Sequence, residues 1–237
     1  VIELLSDGRA VAFWFTYDQE GRQEWLMGVG TVRGNRAVFP EIVRTTGGRF
    51  GRALDPAEVE QTAVGSMRFT WTGCNEGRMD WHLDNRRGRK TLQPLGSLLG
   101  LDCGIPRPGA PVPEYALQSG AWADPGTPGQ GFVVHVLNDT VRAAVYWFTV
   151  DLEGTPRWIV GVGERQEDGR WWFPELEIFD GRPFGSDTVP QRRPWGTLEL
   201  DLACGGGSAE WVSDEPGFEA GSLEVLQLTS PTPLGCP

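Results

Sequence analysis

Two tripeptides, Phe39-Pro40-Glu41 and Phe173-Pro174-Glu175, hold the best candidates for chemistry in the chain. A carboxylate kept beside a proline, after aromatic strand residues, could bind a ligand or act as a general acid or base. The competing reading of Glu41 and Glu175 is structural: a strand-end turn whose carboxylate accepts backbone N–H bonds. Asp18 and Asp151 also recur, each before a Gly-containing turn, where an aspartate accepts hydrogen bonds from its own turn. The two histidines, His82 and His135, are unmatched, and neither lies in a nucleophile motif such as G-x-S-x-G. With 32 acids in the chain, paired carboxylates of the glycosidase kind are available, but abundance is not geometry. No phosphate loop or dinucleotide fingerprint is present, and Gly205-Gly206-Gly207 reads as a turn. No catalytic residue and no cofactor is therefore assigned.

The four cysteines fall into two similarly spaced pairs, Cys74 with Cys103 and Cys204 with Cys236. Four cysteines allow three connectivities, and a duplicated unit folding on itself selects pairing within each copy. A loop of about 30 residues closed in this way stabilises its copy by roughly 3–4 kcal/mol in the chain-entropy model. Disulfides imply an oxidising compartment, hence export: a secreted, periplasmic or cell-surface protein. Zinc is the rival, but there is no CxxC spacing and the histidines are unmatched, so no metal is expected. Neither a leader-like stretch nor an initial methionine is present, as expected of a mature or cut form.

The elements that must position these groups are set by a duplication. FWFTYDQEGRQEW, residues 13 to 25, returns as YWFTVDLEGTPRW, residues 146 to 158; over 13–30 against 146–163, ten of eighteen positions are identical. The 237 residues therefore divide into a first copy, 1–104, a Pro-rich linker, 105–118, and a second copy, 119–237. Met67, Phe69 and Trp71, matched by Leu198, Leu200 and Leu202, alternate with polar residues, which is the period of a half-buried strand. Turn signals recur every eight to twelve residues. The best helix candidate is only residues 54–63. The reading is all-β: two tandem antiparallel up-and-down β-barrels of about eight strands each.

In the strand FWFTY, alternation puts Phe13, Phe15 and Tyr17 on one face and Trp14 on the other, so both faces must be covered. In the next strand, Trp25, Met27 and Val29 are expected to point inward. Gly28 and Gly30 then lie on the opposite face, where something approaches closely. Sliding the copies puts Val1 on Val134 and Leu4 on Leu137, so the first copy lacks a counterpart of 119–133, its N-terminal strand. Residues Val1, Ile2, Glu3, Leu4 and Leu5 are then a candidate assembly edge, where another chain could add a strand.

The combination SG-x-W-x-DP-x-x-x-G-x-GF at Ser119 to Phe132, followed by W-F-T-x-D-x-x-G-x-P-x-W at Trp147 to Trp158, resembles a repeat of exported, uncharacterised proteobacterial proteins. The resemblance covers nearly all of both copies, including the cysteine pair. It implies an exported β-rich module and brings no catalytic residues. The opening Ser-Gly-x-Trp also resembles, more weakly, the first strand of avidin-like barrels, which implies a barrel and nothing about ligand.

The net charge of −11 argues against a nucleic-acid partner. The basic cluster Arg86 to Lys90 reads as a solvated hairpin turn. No apolar run is long enough to span a membrane. Twenty of the 21 basic residues are arginine, which reads as the coding bias of a GC-rich bacterium. Among the eleven tryptophans, Trp25 and Trp158 belong to the core by alternation, and Trp81 and Trp211, each seven residues after a cysteine, should pack on the disulfide. Trp122, Trp171, Trp172 and Trp195 could line a groove for sugar rings or a protein hot spot. The leading expectation is a non-enzymatic exported binding or assembly module that meets a protein partner, itself or a glycan. The alternatives are an extracellular hydrolase using Glu41 or Glu175, and a small-ligand carrier with a pocket in each barrel.

Overall fold

A computed structural model describes residues 1–51, 54–103, 105–106, 112–138, 141–181 and 183–234. Strands β1 (Ile2–Leu4), β2 (Arg9–Tyr17), β3 (Gln23–Arg33), β4 (Arg36–Thr46), β5 (Glu60–Gly73), β6 (Glu76–Leu83) and β7 (Arg86–Leu92) form one antiparallel sheet in sequence order. This sheet curls into an incomplete barrel, barrel 1, open between β1 and β7. A short pair follows, β8 (Leu101–Asp102) with β9 (Ile105–Pro106). The second copy, barrel 2, runs from β10 (Gly120–Ala123), β11 (Gly131–Val136), β12 (Arg142–Val150) and β13 (Pro156–Arg165) through β14 (Trp171–Asp180), β15 (Gln191–Ala203) and β16 (Gly206–Ser213) to β17 (Gly221–Gln227). Pairing of β10 with β17 closes it. The expected pair of tandem barrels, the first without its opening strand, is the architecture found. Residues 54–63 hold only a 3-10 turn at Pro56–Glu58, capped by Asp55, before β5 begins.

The cross-strand register corrects the alignment of the first strand by one residue. Ile2 pairs with Ala12 as Val134 pairs with Val145, so Val1 corresponds to Val133 and Glu3 to His135. The connection from β1 to β2 is one residue shorter than that from β11 to β12, and a one-residue slip exchanges the faces of a strand. The missing counterpart is thus 119–132.

The faces of β3 are also the reverse of those expected. Leu26 faces the interior of barrel 1, whereas Trp25 and Met27 face the other copy. Gly28 and Gly30 lie on the interior side because Phe39 occupies that space. A Cβ on Gly30 would stand 2.8 Å from the Phe39 ring, and one on Gly163 would stand 2.6 Å from the Phe173 ring. The strand pairing shifts register between Phe39 and Ile42, and between Phe173 and Leu176, so each Pro-Glu is the looped-out part of a β-bulge. The Glu41 carbonyl closes over Gly28 and the Glu175 carbonyl over Gly161, at 2.9 and 3.0 Å from the missing Cβ. Phe-Pro-Glu and Gly-x-Gly are two halves of one packing device, in mid-strand rather than at a strand end.

The two copies pack on each other about an approximate two-fold axis. The indole N–H of Trp25 donates to the Thr149 carbonyl at 2.9 Å, and that of Trp158 donates to the Thr16 carbonyl at 3.0 Å. These are the same bond made twice, since residue pairs 25/158 and 16/149 correspond. Phe13 stacks on Phe148 at 5.1 Å and Phe15 on Tyr146 at 5.8 Å, again reciprocally. Gly47 N–H donates to the Gly154 carbonyl and Gly181 N–H to the Gly21 carbonyl. Glu3 and His135, corresponding residues, meet at 3.7 Å. Residue i touching j′ while j touches i′ is the mark of an isologous interface, here made inside one chain. Gln23 breaks the symmetry, bonding the Trp158 carbonyl at 2.7 Å where the second copy has Pro156.

Each copy also sends an aromatic plug into the other. Phe50, from the loop after β4, enters barrel 2 and meets Trp147, Trp211 and Phe218. Phe184, from the corresponding loop after β14, enters barrel 1 and meets Trp14 and Trp81.

The end of the linker packs on barrel 2. The 3-10 turn Glu114–Gln118 places the Gln118 side chain to accept from Trp171 Nε1 at 2.7 Å, while its carbonyl accepts from Trp122 Nε1 at 2.9 Å. Cys74 and Cys103 form the expected disulfide, exposed at the β5–β6 turn. Cys204 carries no free thiol, and its expected partner Cys236 lies outside the described residues. Trp81 and Trp211, expected on the disulfides, are found in the barrel interiors. They point into the barrels over Gly88 and Gly221, whose added Cβ atoms would collide with the indoles.

Because the halves share a core, one cooperative urea transition is expected, and Trp25→Ala and Trp158→Ala should each lower stability by about 3–5 kcal/mol. Gly163→Ala, which drives a Cβ into Phe173, should cost about 1–3 kcal/mol in the same measurement.

Candidate functional site

The first candidate site is the open seam of barrel 1. In barrel 2 the interior positions Val134, Leu200, Leu202 and Val225 are at most 5% exposed, under a roof completed by Trp122 of β10. Their counterparts Ile2, Phe69, Trp71 and Leu92 are only half-buried. β10 reaches its neighbours through Gly120 opposite Val134 and Ala121 opposite Val133 on one side, and through Trp122 and Ala123 opposite Gln227 and Leu226 on the other. The matching positions of barrel 1 are Ile2 and Val1, with Pro94 and Gln93. Val1, Glu3 and Leu5 are bonded to β2, through Phe13, Val11 and Arg9. Ile2 and Leu4 direct their backbone groups the other way, and of these the Leu4 carbonyl accepts from Thr232 N–H at 2.7 Å. The far side of the seam is β7. The basic cluster Arg86 to Lys90 is therefore not a hairpin turn but an edge strand, following a two-residue turn at Asp84-Asn85.

The second candidate is a cleft of about 500 Å³ at the mouth of barrel 1, lined among others by Tyr17, Asp18, Glu24, Arg44, Asp84 and Phe184. Its charges come in chains. Arg22 bonds Asp18 at 2.7 Å and Glu20 at 3.3 Å, while Arg44 bonds Glu24 and reaches Asp84 at 3.1 Å. Asp18 also accepts the backbone N–H groups of Glu20 and Arg22, as Asp151 accepts those of Glu153 and Thr155. Both aspartates hold their own turns, as expected of an Asp before a tight hairpin. Glu24 is buried, and desolvation raises its pKa above the usual carboxylate value, opposed by the hydrogen bond and charge of Arg44. The corresponding mouth of barrel 2 is a smaller cleft of about 220 Å³.

The remaining sequence candidates are scattered. Glu41 and Glu175 project to solvent from the two bulges and line neither cleft. Trp122, Trp171 and Trp195 line no groove; they are 0–1% exposed and belong to the barrel 2 core, where inward alternation and the Gln118 bonds hold them. Trp172, next to Trp171 and so on the outer face, is 37% exposed. The barrel interior expected to hold a carrier pocket is occupied by these indoles together with Phe132, Phe173 and Leu198. Among the described residues no three His, Cys, Asp or Glu side chains are grouped to hold a metal, and no helix is long and apolar enough to cross a membrane.

The Glu24 shift has a defined pH signature. A carboxyl whose folded pKa is raised contributes its stability below the unfolded value and loses it as pH rises through the folded value. Glu24→Gln abolishes that loss, so the difference in melting temperature, variant minus parent, should become more favourable as pH is raised from about 4 to about 7. Thermal melts across this range check it. No protein-family model, curated protein or solved structure matches the chain, so function is argued from this geometry.

Proposed function

We propose that the protein is a non-enzymatic binding and assembly module, exported to an oxidising bacterial compartment, in which the seam of barrel 1 that residues 1–237 leave open takes up an extended segment. The observation that carries this reading is the contrast between two copies of one fold. Barrel 2 is closed and its core sealed, whereas barrel 1 leaves Ile2, Phe69, Trp71 and Leu92 half-covered between two unjoined strands. An unjoined edge is a template for strand addition, with main-chain bonds giving affinity and side-chain pockets giving selectivity. The exposed disulfide Cys74–Cys103 supports export, as does the resemblance of the repeat to exported proteobacterial proteins.

Barrel 2 shows what such a segment needs. Gly120 has φ of 144°, and a Cβ there would collide with the Thr229 carbonyl, so glycine is required one place before the alanine that faces the other copy. Trp122 then points inward and is 1% exposed. The segment for barrel 1 has the pattern Ser-Gly-x-Trp, with the indole covering Phe69, Trp71 and Leu92.

A peptide of residues 119–132, added to the intact 237-residue protein, should bind saturably, raise the melting temperature and slow amide exchange in β1 and β7. The same peptide carrying Trp122→Ala should bind at least tenfold more weakly. Absence of saturable binding at millimolar peptide, or equal binding by the alanine peptide, would overturn the reading.

A further inference from the structure

We propose that the cleft at the mouth of barrel 1 binds an acidic peptide segment carrying an aromatic side chain, with the ring seated on Phe184 and a carboxylate on Arg86. This site is separate from the seam and does not depend on strand addition there.

The molecule contains a worked example of the chemistry. The strands β16 and β17 are joined by Asp214–Ala220, a longer connection than the two-residue turn between β6 and β7. That loop folds back over the mouth of its own barrel. Phe218 meets the plug Phe50 edge to face at 4.7 Å and Trp195 at 5.5 Å, and is 9% exposed. The Glu215 carboxylate bonds Arg193, which is also held by Asp180 at 3.1 Å. The segment Asp-Glu-Pro-Gly-Phe thus acts as a built-in ligand, an aromatic ring on the plug with a carboxylate on an arginine beside it. It leaves barrel 2 only the smaller cleft.

Barrel 1 has the same plug and the same barrel mouth without the loop. Phe184 is only half-buried, and the larger cleft stands over it. The carboxylates Asp18, Glu20, Glu24 and Asp84 are each matched to Arg22 or Arg44. Arg86 is the lining cation with no carboxylate partner among the described residues; its guanidinium lies 5.0 Å above the Phe184 ring. It opens the basic edge strand, Arg86, Arg87, Arg89 and Lys90, which is the concentration of positive charge nearest the cleft in an acidic chain. Among the described residues Arg86 is therefore the lining charge without an opposite partner, resting on a Phe184 ring that is still partly exposed. An anionic segment with an aromatic side chain engages both, whereas each lining carboxylate already holds a guanidinium, two carboxylates to each arginine.

The test uses the intact protein and the acetylated, amidated peptide Ser-Asp-Glu-Pro-Gly-Phe-Glu-Ala, the sequence of residues 213–220. Titration followed by the indole N–H resonances should shift Trp14 and Trp81, which touch Phe184, and leave Trp147 unmoved. Saturable binding is expected, weakened at least tenfold by Arg86→Glu in the protein or by phenylalanine to alanine in the peptide. Because Phe184→Ala also removes packing on Trp14 and Trp81, Arg86→Glu, on the surface, is the deciding variant. Three results would overturn the proposal: no saturable shift at millimolar peptide, binding indifferent to Arg86→Glu, or shifts confined to the barrel 2 indoles.

Discussion

Two indole N–H groups, each bonded to a backbone carbonyl of the opposite copy, fix the arrangement on which the rest depends. Trp25 and Trp158 bury their rings among Phe13, Phe15, Tyr146 and Phe148, a layer that belongs to neither barrel interior. Removing large aromatic surfaces from water supplies most of the attraction, and the two directed bonds set the relative rotation. That rotation brings the loop after β4 over barrel 2 and the loop after β14 over barrel 1. Mutual plugging by Phe50 and Phe184 follows from it.

Against this shared frame, the functional interest lies where symmetry fails. The closed barrel carries a mouth-covering loop, 214–220, that its sister lacks, and its strand β10 has no counterpart within residues 1–237. Each difference leaves barrel 1 with something unsatisfied: backbone groups and half-covered aromatics at the seam, an unmatched guanidinium and a ring at the mouth. A duplicated fold offers an internal control, since the residues common to both copies report what folding demands. The departures report what one copy has been released to do.

The strand count, the duplication, the Cys74–Cys103 disulfide and the missing first strand were all legible in the sequence, because alternation and repeat identity are local signals. Which face of a strand meets which neighbour was not. Trp25 and Leu26 are both buried, and composition gives no way to distinguish a barrel interior from a contact with the sister copy. Trp122, Trp171 and Trp195 looked like groove residues for the same reason. Phe-Pro-Glu drew attention as chemistry because a paired proline and acid is rare, yet its regularity comes from Phe39 and Phe173 needing two glycines beneath them. The cleft leaves almost no mark in the sequence. It is formed by what the β6–β7 turn omits, and the only trace in the sequence is that Trp81 and Gly88 are seven apart where Trp211 and Gly221 are ten.

The exchanged plugs have a consequence for how the two halves came to share one polypeptide. Every reciprocal contact described would be satisfied equally well by two identical units on separate chains, each corking the other. Such a pair holds together only as far as its concentration allows. Joined by a short connector, the same contacts become intramolecular, with an effective concentration in the millimolar range. Once that is secured by the covalent tie, neither half must remain a faithful replica. One can stay sealed as an anchor while its twin loses a rim and stays upright.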